Sequence, residues 1–80
     1  MIRVNLRKAM ERYRQRTGVR LTYATLAKRT SISVETLQSI AARPGYNTRL
    51  STVERLCRVL ECTPGELLEM TKGKGAARED

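Results

Sequence analysis

The sequence predicts an all-α fold of five short helices, and three observations carry that expectation. Apolar residues recur at three- and four-residue spacing in successive segments, as the buried stripe of an amphipathic helix requires. Two helix-starting signatures, Ser or Thr followed three residues later by Glu, fall within residues 51–66. Aromatic residues make up 4% of the chain, all Tyr, so the core must come from Leu, Ile, Val, Met and Ala, which suits helix packing. Eighty residues allow one domain with a modest core, which oligomerisation or very regular packing would help to stabilise.

Residues 1–4 form a lead-in. Asn5 is placed to cap a helix running to about Thr17, with Leu6, Ala9, Met10 and Tyr13 on its buried stripe and basic residues on its other faces. That stripe holds no further bulky hydrophobe, which favours packing into a domain over lying on a membrane surface. Gly18 is placed to end the helix in the left-handed conformation. Val19-Arg20-Leu21 reads as a short extended link burying Val19 or Leu21.

The organising stretch is Thr22–Arg43. Leu26, Ala27 and Thr30 lie on one face of a helix opened by Thr22, and Leu37, Ile40 and Ala41 on one face of a helix capped by Ser33. Between them, Thr30-Ser31-Ile32 has a small polar residue where the chain must turn and an aliphatic one to plug the angle. This is the pattern of two helices joined by a tight turn. Arg43-Pro44-Gly45 then stops the second helix, and Tyr46–Arg49 reads as a polar loop.

Ser51-Thr52-Val53-Glu54 matches a capping box, opening a fourth helix that buries Val53, Leu56, Cys57 and Val59 or Leu60. Thr63-Pro64-Gly65-Glu66 is a second capping box, with Pro at the favoured first position and Cys62 and Leu67 placed as a hydrophobic staple. Leu67, Leu68 and Met70 give this last helix more apolar surface than a single turn needs. They close the core or meet a second subunit, and they are the candidate dimer interface. The domain is thus expected over residues 1–70, followed by a disordered tail at 71–80.

The segment Thr22–Arg43 resembles the phage repressor/Cro-like (lambda-repressor-like, XRE-type) helix-turn-helix DNA-binding family. Leu26-Ala27, the turn ending Ile32-Ser33, Leu37 and Ile40 carry the resemblance, and the flanking helices extend it over roughly residues 3–70. The family's turn usually carries Gly where this chain has Ser31, a cost on the order of 1 kcal/mol should that residue adopt positive φ. The resemblance implies a compact five-helix DNA-binding domain whose second motif helix enters the major groove. It places the base-reading positions on Val34, Glu35 and Ser39, with Gln38 beside them. Gln38 suits adenine, Glu35 a cytosine amino group and Val34 a thymine methyl, while Glu35 also suits the helix dipole without any DNA. Phosphate contacts are expected from Thr22 and Tyr23 at the start of the first motif helix, and from Ser33, Thr36, Arg43 and Arg49.

Charge agrees with that reading. The formal net charge is +8, and its placement is uneven. Eleven basic residues face two acidic ones through residue 49, against five and six from residue 50 onward. A half so basic has a polyanion as its natural partner, the other use of such a face being solubility.

The expected function is sequence-specific binding of double-stranded DNA to regulate transcription, with repression implied by the resemblance, as a cytoplasmic homodimer. The alternative is a protein-interaction module, such as an antitoxin or an RNA polymerase adaptor. RNA is a weaker match, since no exposed aromatic platform is evident. No apolar run reaches the length of a membrane span and no signal-peptide pattern opens the chain. No cofactor or metal site is expected: with no His, Cys57 and Cys62 do not complete a four-ligand zinc site in one chain. A disulfide between them would distort a helix end, leaving core roles, or less simply a redox switch. Without His, paired acids, a Gly-rich phosphate loop or an activated nucleophile, no enzyme is expected.

Overall fold

The computed structural model describes residues 1–43 and 45–70; Pro44 and the expected tail at 71–80 lie outside the described residues. Five helices appear in chain order: α1 (Leu6–Thr17), α2 (Tyr23–Thr30), α3 (Val34–Ala42), α4 (Leu50–Leu60) and α5 (Pro64–Leu67). Two three-residue strands, β1 (Ile2–Val4) and β2 (Leu68–Met70), enclose them in sequence. Leu6, Leu26, Leu37, Leu56, Leu60 and Leu67 are the largest fully buried side chains, contributed by all five helices. An aliphatic core of this kind follows from burying one stripe of each short helix against the others.

The helix ends show why the elements stop where they do. Gly18 closes α1 at φ 77°, its N–H donating to the Arg14 carbonyl at 2.8 Å. Leu21, not Val19, is the residue of the next link that is buried. Thr22 caps α2, its hydroxyl oxygen accepting the Thr25 N–H at 3.1 Å. Thr30 is buried but satisfied, donating to the Leu26 carbonyl and accepting the Ile32 N–H. Ser31 turns the chain with φ 62°, and buried Ile32 fills the angle between α2 and α3. The capping box at Thr63–Glu66 is present with both of its hydrogen bonds.

Four expectations are corrected. Residues 2–4 are not a lead-in but β1, paired antiparallel with β2 so that Ile2 faces Met70, Arg3 faces Glu69 and Val4 faces Leu68. Asn5 precedes α1 without a side-chain cap bond; Glu69 on β2 is within reach, and the Asn5 amide donates to it at 2.9 Å. The box at Ser51–Glu54 does not form. The Arg49 carbonyl already accepts the Thr52 and Val53 N–H groups, so α4 starts at Leu50, Ser51 lies inside it, and Glu54 pairs with Arg58 at 2.8 Å. The last helix ends at Leu67, which is fully buried in its own core while its carbonyl accepts the Asn5 N–H. Leu67 is therefore unavailable to a second subunit; Leu68 is half-buried and Met70 is 76% exposed.

Cys57 is a buried core residue and Cys62 half-buried, both free thiols. Burial pushes both thiols up, Cys62 to about 11. Among the described residues, no helix is long and apolar enough to cross a membrane.

Candidate nucleic-acid interface

The site is built on α3. Ser33 opens this helix, its hydroxyl oxygen accepting the Thr36 N–H at 3.1 Å while its O–H donates to the Thr36 hydroxyl at 2.8 Å. Leu37 and Ile40 are buried and hold the inner face against the core. Helical geometry then dictates the outer face: Glu35, Gln38 and Ala42 are exposed, with Val34 and Ser39 half-buried along its margins. All four expected base-reading residues thus lie on the exposed side of α3 or its border, and Glu35 and Gln38 make no hydrogen bond or ion pair within the described residues. The outer side chains are free to meet a ligand of matching shape.

The expected phosphate-contacting residues divide among three places. Thr22 and half-buried Tyr23 stand at the start of α2, whose first backbone N–H groups point outward from the helix end. Ser33, Thr36 and Arg49 line one groove, shared with Tyr46, Asn47, Thr48, Thr52 and Arg55. Arg43 lies apart from them, exposed at the other end of α3, about 13 Å along the axis by helical rise. The loop of residues 45–49 and the exposed edge of α4 therefore form a polar, basic wall beside the entrance of α3. Arg55 and Thr52 escaped the sequence reading. Their signal was the three-residue step from Arg49 to Thr52 to Arg55, which places all three along one side of a helix beginning at residue 50.

Two helices set by a tight turn, an open outer helix face and basic walls beside it define a helix-turn-helix domain of the DNA-binding class. The family comparison agrees: residues 5–73 match the Cro/C1-type HTH DNA-binding domain, and the chain belongs to that family. Among curated sequences, it is similar to the uncharacterized HTH-type transcriptional regulator YozG of Bacillus subtilis (strain 168), at 34% identity over 50 residues. That match spans 62% of this chain and 60% of the relative. No solved structure gave a significant match.

Proposed function

We propose that the chain binds double-stranded DNA sequence-specifically through the outer face of α3 and regulates transcription, acting as a cytoplasmic repressor without catalysis of its own. The observation that carries this reading is the open face of α3, with the Glu35 and Gln38 side chains unpartnered among the described residues, beside a groove containing Arg49 and Arg55. Val34, Glu35, Gln38 and Ser39 read base edges. Thr22, Tyr23, Ser33, Thr36, Arg43 and Arg49, joined by Arg55, hold phosphates. The relative's name supports regulation of transcription as the role.

The regulator acts as a homodimer on a near-palindrome whose half-sites lie about 34 Å apart. The apolar face of the β1–β2 ribbon supports this. Val4 and Leu68 pack against the core, and the period of two along a strand continues the same face outward to Ile2 and Met70, which are 59% and 76% exposed. The same surface favours, as a second reading, a module that docks on another protein.

Selecting bound sequences from a random DNA pool tests the proposal and reports site symmetry and spacing together. On the selected site, Arg49→Ala should weaken binding to all sequences alike and reduce the salt slope by about 1. Gln38→Ala with Ser39→Ala should instead reduce discrimination by about 1–3 kcal/mol and leave nonspecific affinity unchanged. Enrichment of no sequence, with binding insensitive to salt, would favour the protein-docking reading.

A further inference from the structure

Resting on the DNA-binding reading above, we infer that α1 and the link before α2 carry a second phosphate track, centred on Arg7 and Arg20, which lengthens the protein's contact with the DNA backbone. Two grooves supply the observation. One, of about 410 Å³, lies between α1 and the entrance of α2 and brings Arg7, Arg14 and Arg20 together with Tyr23. The other runs from β1 into the first turn of α1 and brings Arg3, Arg7 and Lys8 beside Ala41, near the end of α3. Arg7 belongs to both, so the basic lining runs from the start of α2 to the end of the reading helix. A side chain added at Gly45 would lie 3.4 Å from the Met1 sulfur, which independently places the start of β1 against the chain leaving α3.

The charges along this lining are not balanced within the fold. Among the described residues Glu11 is the one carboxylate in either groove; Arg14 engages it through an ion pair, and Arg20 lies near enough to help hold its pKa down. Arg7 and Arg20 have no hydrogen-bond or ion-pair partner among the described residues. Three guanidinium groups around a single carboxylate leave an excess of positive charge in the first groove, which a row of phosphates relieves. The occupant is a DNA backbone and not a single small anion, because the cations are spread along two joined grooves and end on the helix proposed to read the bases. Arg supplies the planar fork that phosphate oxygens accept.

The test uses the full chain and the site selected from random DNA, with affinity measured against salt concentration. Arg7→Gln and Arg20→Gln should each flatten the log–log slope by about 0.9, and the double variant by about 1.8. Arg58→Gln is the control, since it removes the same charge from α4, where Arg58 pairs with Glu54 outside both grooves. Phosphate-ethylation interference should lose its outermost signals in the double variant while base contacts persist. Slopes for Arg7→Gln and Arg20→Gln equal to that of Arg58→Gln would overturn the track while leaving the DNA-binding reading intact. A wild-type chain with no salt-dependent affinity for any duplex would overturn both.

Discussion

Ser31 turns the chain between α2 and α3 at φ 62° and ψ 27°, a region where an L-residue pays for the approach of its Cβ to the backbone. Its N–H caps α2 by donating to the Ala27 carbonyl at 2.8 Å, so the strained geometry also closes the helix. Its side chain is exposed, and replacing it disturbs no packing. Ser31→Gly should therefore stabilise the domain by about 1 kcal/mol, read as a higher urea midpoint at unchanged m-value. Glu61 ends α4 in the same conformation, at φ 53°. There Arg16 reaches across from α1, its Nη2 donating to the Leu60 and Glu61 carbonyls at 2.8 and 2.9 Å. Composition counts Arg16 with the basic surface; three-dimensional structure makes it a helix-end ligand. Nothing local in the sequence distinguishes it from Arg12 or Arg14.

At the level of elements, the capping box of α5 makes stability depend on pH. Hydrogen bonds from Thr63, chiefly its backbone N–H, hold the Glu66 carboxyl below the usual carboxylate value. A lowered folded pKa means that its contribution is complete above the ordinary value of 4.5 and is lost as pH falls below it. Glu66→Gln keeps an acceptor for Thr63 without the titration. Chemical denaturation across this range should show a smaller acid-side loss in the variant; the remainder includes Glu11, lowered chiefly by its hydrogen bond with Arg14. Elements with local signals were legible: α1, α2, α3 and α5 follow from apolar spacing together with Gly18, Thr22, Ser33 and the Thr63 box. The start of α4 was misread because Ser51 and Glu54 have capping chemistry two residues too far along, the cap position being Arg49. The ribbon was not legible at all. Three-residue strands carry almost no periodicity, and their pairing is decided by partners at the opposite end of the sequence.

Across the whole molecule, uneven charge located the half of the chain that holds the candidate interface, and the motif located α3 within it. Sequence spacing could not show that Arg49 and Arg55 share a groove with Ser33 and Thr36, or that Arg7 joins two grooves, because those neighbours come from different elements. The proposed dimer is the property most affected by the fold. With Leu67 in the core, a second copy would have the ribbon's outer end to meet, where Ile2 faces Met70. Met70→Glu should leave the far-UV circular dichroism unchanged and shift sedimentation toward a single copy. A dimer persisting in that variant would exclude this end as the contact.

The ribbon also bears on the order in which the molecule assembles. Asn5 and Glu69, which hold its inner end, are 64 positions apart in the sequence. Bringing such distant segments together carries a larger loop-closure entropy than joining neighbouring helices. Short-range helical contacts are therefore expected first, and the two strands to zip together late, as a latch on a nearly finished body. By the same reasoning the latch should open first on unfolding, which amide hydrogen exchange would show as the weakest protection in residues 2–4 and 68–70. Loosening it leaves α2, the turn at Ser31 and α3 still joined through the α2–α3–α4 core.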